Sequence, residues 1–271
     1  MKRFNKMTED DLKYFRNWFS DFTKFFYSSN EEDQRNIMLK VEHTRNVREN
    51  ILLIAKGLSL SDDQMRLAET VALFHDIGRF PQYAKYRTFR DAISLSHGLL
   101  GKKTLIKEGV LERLSESERE LVLKVVNFHG AFSIPTIFDE DTIFFLKMVR
   151  DADKVDIFRV FIEYYESHPE ERASATAFGM PDTPEYSKIM IENLYNREVA
   201  SYSNIRTEND FKLMKLSWIY DLYFDESIRL LQERGYIERL IEKLPQTDEI
   251  RAAMDVLREY IKERLNLDNG N

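Results

Sequence analysis

Four of the five histidines sit where helical periodicity turns a side chain inward. His43 shares a stripe with Leu39, Val47 and Ile51, and His75 follows Ala68, Val71 and Ala72. His97 follows Ile93 and precedes Gly101 by four, while His129 closes LVLKVVNFHG behind Val122, Val125 and Val126. Residues three or four apart share a helix face, so each ring is directed toward packed apolar groups. Burying an imidazole without a partner costs free energy, and His75 is followed at once by a carboxylate, Asp76. Neutral imidazole and carboxylate together form a ligand set for transition or borderline divalent ions, which would satisfy every one of these groups. The fifth histidine, His168 in ESHPEE, has no such setting and is expected at the surface.

A further carboxylate comes from FFLKMVRDADKVDIFRVF. Helical phase puts Asp153 on the face of Leu146, Val149, Ile157 and Val160, so it is the expected ligand. Asp151 lies between Lys147 and Lys154 on a face expected to be solvated, and Asp156, one turn from Asp153, is placed to orient a ligand from behind.

The elements that must carry these residues are helices. Apolar periodicity near 3.6 predicts them at about 8–27, 35–58, 62–76, 91–107, 116–129, 139–167, 185–199, 208–234 and 247–265. SLSDDQ, SESERE and DEDT supply N-terminal caps, and Gly57 and KEGV supply stops. Residues 167–187 hold half of the six prolines and read as a loop or lid. The expected organisation is therefore a metal-binding helical domain over 1–166, this loop, and a C-terminal helical extension over 188–271 packed on the core.

His43, the His75–Asp76 doublet within FHDIGR, and Asp153 within DADKVD together resemble the H…HD…D pattern of the HD superfamily of metal-dependent phosphohydrolases. The resemblance spans roughly residues 35–165. It implies an all-α HD-domain bundle with additional C-terminal helices. His97 in SHGLLG and His129 in NFHG resemble the extra histidines of members with a two-metal centre. By that resemblance His43, His75, Asp76 and Asp153 hold one divalent ion, and Asp76 bridges to a second held by His97 and His129. The element could be Mn, Mg, Fe, Zn, Co or Ni, and one or two ions fit the pattern. HD-GYP phosphodiesterases carry a doubled His and a Gly-Tyr-Pro stretch where this chain reads NFHGAFSIP, so cyclic-dinucleotide cleavage is not expected.

The chemistry implied is hydrolysis of a phosphate ester in a small metabolite or nucleotide by a metal-activated water, with Asp76 and Arg79 at the reacting centre. Arg79, Lys85 and Arg87 in GRFPQYAKYRTFRD are the candidate phosphate contacts, interleaved with Tyr83, Tyr86 and Phe89. Two other readings share the ligands: an HD-fold di-iron oxygenase, and a non-catalytic metal-binding sensor or interaction module.

Composition bounds the rest. The 271 residues are 43 % hydrophobic, with 19 Phe and 13 Tyr against only 9 Gly and 6 Pro, a balance that builds a helical core. Cysteine is absent, which removes disulfides, a thiol nucleophile and cysteine-ligated zinc. A formal charge of −7 argues against a nucleic-acid polymer as partner. No apolar run suits a signal peptide or a membrane span, so a cytoplasmic protein without membrane partners is expected, as monomer or oligomer.

Overall fold

The structure is a computed structural model describing residues 7–172 and 179–266. Among these residues the regular elements are α-helices and short 3-10 turns, with no strand. The chain falls into two compact units, 1–156 and 157–271. No helix of the described residues is long and apolar enough to cross a membrane.

The first unit contains α1 (Glu9–Lys24), α2 (Glu31–Gly57), α3 (Asp62–Phe74), α4 (Arg79–Tyr86), α5 (His97–Lys107), α6 (Glu116–Phe128) and the first part of α7 (Glu140–Glu166). Local chemistry fixes where several begin. Thr8, Ser61 and Ser115 each form a capping box with Asp11, Gln64 and Glu118, which satisfies orphan amides at the N-termini of α1, α3 and α6.

Packing then orients them. α3 packs on α1, α2 and α6. Val47, Ile51 and Ile54 of α2, Leu67, Val71 and Phe74 of α3, Val122 and Val125 of α6, and Leu146 and Val149 of α7 are all buried. Each such side chain contributes about 1.5–3 kcal/mol by leaving water. Asn50 Nδ2 donates to the Ala152 carbonyl at 3.1 Å, tying α2 to α7 inside this core.

Two departures from the periodicity bear on the site. Residues 79–86 form α4, although Pro81 suggests a connection. Proline falls in the first turn, where its missing N–H would have no intrahelical partner anyway. The helix expected from residue 91 starts instead at His97, because Ser96 caps it by accepting from the Leu99 amide at 3.3 Å. Residues 91–96 are held against α4 by buried Gln82, whose Nε2 donates to Asp91 Oδ1 at 2.8 Å, Ser94 Oγ at 2.8 Å and the Leu95 carbonyl at 2.9 Å. Ile93 points to solvent, so the apolar stripe through Ile93 and His97 does not exist.

The second unit holds the end of α7, then α8 (Lys188–Tyr195), α9 (Glu208–Ser217), α10 (Asp225–Glu233), α11 (Tyr236–Ile241) and α12 (Asp248–Leu265). Its own core includes Leu194, Phe211, Met214, Leu231, Leu240 and Leu257. The single helix expected over 208–234 is broken by a 3-10 turn at Trp218–Asp221, where aromatic and β-branched residues weaken helix propensity. The acidic pair Asp225–Glu226 then starts α10, where it complements the helix dipole. Within the expected loop, residues 173–178 lie outside the described residues. Its far end is tied to α9: the Glu208 amide donates to the Pro181 carbonyl at 3.0 Å, and Asn209 Nδ2 to the Thr183 carbonyl at 2.8 Å.

Candidate metal centre

α3 ends at Phe74, and His75, Asp76, Ile77 and Gly78 form the turn into α4. The doublet therefore sits at a helix end rather than mid-helix, with Asp76 free to face away from the α3 axis. Gly78 makes this turn fit. A Cβ there would lie 2.0 Å from the His97 carbonyl oxygen and 2.4 Å from the Gly101 amide nitrogen, so only glycine lets α5 approach. That approach delivers His97 to the doublet. On the other side of α5 the space is equally tight, since a Cβ on Gly98 would lie 2.5 Å from the Asn127 carbonyl oxygen of α6. His129 then follows as the C-terminal cap of α6.

All four rings are oriented from their Nδ1 side. His75 Nδ1 donates to the Ala72 carbonyl at 2.7 Å and His129 Nδ1 to the Val126 carbonyl at 2.9 Å. His43 Nδ1 meets Asp156 Oδ2 at 2.6 Å, and His97 Nδ1 meets Asp91 Oδ2 at 2.6 Å. A carbonyl or carboxylate oxygen only accepts, so each Nδ1 carries a proton and each Nε2 faces inward.

The four Nε2 atoms converge on one carboxylate. His43 and His75 lie 3.7 and 3.8 Å from Asp76 Oδ2, while His97 and His129 lie 3.6 and 3.7 Å from Asp76 Oδ1. Asp153 Oδ1 stands 3.0 Å from His43 Nε2. His43–His75–Asp76, His75–His129–Asp153 and Asp76–His97–His129 each bring one ligand atom per residue within reach of a common cation. With a pair of imidazoles facing each of its oxygens, Asp76 could serve a cation on either side.

The rings differ in their electrostatics. Burial, reinforced by Arg79, depresses His97 to about 4, and burial depresses His75 to about 4. Neutral His97 faces His129 with Nε2 atoms 3.0 Å apart. Two unprotonated Nε2 atoms this close, beside the Asp76 carboxylate, are a donor set that could serve a divalent ion. His43 behaves differently. Burial and Lys40 oppose its charge, but hydrogen bonds to Asp153 and Asp156 outweigh them and lift it to about 9. Burial likewise opposes charge on Asp76, yet Lys40 and Arg79 hold its pKa well below the ordinary carboxylate value.

The model of the HD domain family matches residues 41–185, more than half of the chain, and spans all of these ligand candidates. The chain belongs to the HD domain family. No curated protein and no solved structure matches it.

Within this HD domain the six expected ligands, His43, His75, Asp76, His97, His129 and Asp153, come together, and His168 is exposed. The α7 faces differ from expectation. Asp151 is fully buried and engaged with neighbours rather than solvated, because a polar face can be buried wherever partners await it. Asp153, by contrast, keeps 22 % of its side chain exposed.

Of the expected phosphate contacts, Arg79 is at the centre. Its Nε lies 3.3 Å from Asp76 Oδ1, and its NH1 bonds the Phe89 carbonyl at 2.6 Å and Asp91 Oδ1 at 3.0 Å. Lys85 lies over the Tyr86 ring and Arg87 pairs with Asp33 at 2.5 Å, so no contact between described residues brings either to the cluster. Tyr83 and Phe89 are buried and pack on each other instead of offering a stacking face.

Two participants escape the sequence reading. Lys40 donates to Asp76 Oδ2 at 2.8 Å, and the signal for it was its place one turn before His43 on the same face. Asp91, which orients His97, lies in a segment read as helix. Only its spacing of six residues from His97 hints at the pairing.

Proposed function

We propose that this HD domain is a metal-dependent phosphohydrolase that cleaves a phosphate ester of a small metabolite or nucleotide. The observation that carries this reading is the pairing of imidazoles at opposite oxygens of Asp76. When bound, two divalent ions supply activation of water for in-line attack and neutralisation of charge on the phosphoryl oxygens. His43, His75, Asp76 and Asp153 would hold one ion, and Asp76, His97 and His129 the other.

The chain's own groups do the positioning. Asp156, Asp91 and the carbonyls of Ala72 and Val126 fix the ring tautomers, so that no reorganisation is needed for Nε2 to bind. Arg79, held by the Phe89 carbonyl and Asp91, presents its guanidinium beside Asp76, where planar donors suit a phosphoryl group. The chain's negative charge and the small number of cations at the centre favour a compact phosphorylated substrate over a nucleic-acid polymer.

The test is a panel of phosphorylated metabolites, nucleotides and diesters assayed with the full chain and Mn2+. Release of phosphate by the wild type, reduced more than about 100-fold in His75→Ala, is the expected outcome. Undiminished turnover by His75→Ala that has lost its metal contradicts the reading. So does a metal-loaded wild type that consumes oxygen but leaves every ester intact.

A further inference from the structure

Lys40 occupies an unusual position for a cation. Its ammonium bonds Asp76 Oδ2, the same oxygen that faces His43 and His75, and 16 % of its side chain is exposed. Arg79 mirrors it at Oδ1. A divalent ion held by Asp76 Oδ2 would come within a few ångströms of the ammonium, and like charges so close in a buried site repel strongly. Lys40 must therefore leave the carboxylate or weaken the ion.

Phe89 flanks the ammonium where it stands. The Lys40 ammonium lies 5.3 Å from the centroid of the Phe89 ring, within cation–π range. The same residue's carbonyl fixes Arg79 at 2.6 Å. One buried residue thus organises both cations, its ring serving Lys40 and its carbonyl serving Arg79. The two cations bracket the carboxylate from its two oxygens, and a lysine offers three donors on a flexible stem that can swing onto a tetrahedral anion.

We propose that Lys40 exchanges between the Asp76 carboxylate and the phosphoryl oxygens of a bound anion, forming with Arg79 a two-armed phosphate clamp that weakens metal binding until an anion arrives. This rests on the metal reading above. It makes metal and phosphate mutually reinforcing ligands, since each supplies what Lys40 requires to leave or neutralise the other.

The experiment is calorimetric titration of the full-length chain, first with Mn2+ alone and then, once loaded, with inorganic phosphate. The variants are Lys40→Met, which keeps the apolar stem, and Lys40→Arg, which keeps the charge; Lys40→Gln replaces the Met variant if that does not fold. Lys40→Met should bind Mn2+ more tightly and inorganic phosphate more weakly, each by on the order of tenfold. Lys40→Arg should stay near the wild type for Mn2+. The exchange itself is read from the coupling: phosphate should tighten Mn2+ binding in the wild type and lose that effect in Lys40→Met, and a wild type without the coupling overturns the clamp. Wild type that binds Mn2+, with Lys40→Met binding it no more tightly or binding phosphate equally well, overturns the clamp alone. Wild type that takes up no Mn2+ overturns the metal reading and the clamp with it.

Discussion

The two halves of the centre reach the same carboxylate by different means. His43 and Asp153 project from within long helices, α2 and α7, whose relative placement is set by apolar packing and by Asn50 reaching the Ala152 carbonyl. His97 and His129 stand at helix termini, the first residue of α5 and the cap of α6. Their placement depends on close main-chain approach at Gly78 and Gly98, and on the His97 ring lying over Gly130, where a Cβ would be 2.9 Å from His97 Cε1. One half is thus held by side-chain packing and the other by close main-chain approach. The first tolerates volume changes spread over many contacts, while the second has almost no slack.

If the halves are separate ion sites joined by Asp76, they can be emptied separately. His129→Ala should leave the chain with an ion in the His43 half only, and His43→Ala with an ion in the His97 half only, each losing more than about 100-fold in affinity at the affected position. Elemental analysis of the two variants checks this, and loss of both ions from either one would merge the halves into a single unit.

Gly78→Ala probes the difference in construction. The added methyl meets backbone atoms of His97 and Gly101 rather than a yielding side chain, so α5 must shift. Destabilisation of about 1–3 kcal/mol in denaturant unfolding is expected, with the His97–His129 ion lost before the other. Equal weakening of both ions would show that α5 is not the element that moves.

The smallest effect lies outside the centre. Glu69 on α3 is buried against Arg16 and Arg48; burial opposes its charge, and the two guanidiniums overcome this to lower its pKa below the ordinary value of 4.5. A lowered carboxylate pKa contributes stability that is present above the unfolded value and disappears as pH falls through the folded one. Glu69→Gln should cost about 1–2 kcal/mol at neutral pH, less in acid, and leave metal content unchanged. Thermal unfolding at neutral and acidic pH, alongside metal analysis, checks both parts.

The same contrast explains what could be read from the chain. His43, His75 and Asp153 announced themselves because an apolar stripe gives helical phase, and phase gives direction. His129 was legible for the same reason, through Val122, Val125 and Val126. His97 was placed correctly on a wrong premise, since Ile93 faces solvent and the ring is held by Asp91 and the glycines instead. Lys40 is hidden because its partner Asp76 lies 36 residues away, and Asp91 because it sits in a segment outside the α-helices whose turns the periodicity does not show. Polarity alone assigns such residues to the surface. α4 was missed because Pro81 reads as a breaker unless the start of the helix is already known.

Counting the metal in the full chain, supplied with Mn2+ and then dialysed, tests the central claim most directly, with Asp76→Ala run beside it. Four imidazoles and Asp153 gathered around Asp76, read as two ion sites sharing that carboxylate, call for two ions per wild-type chain and none in the variant. A folded wild type that retains no ion, or an Asp76→Ala chain that retains both, contradicts it.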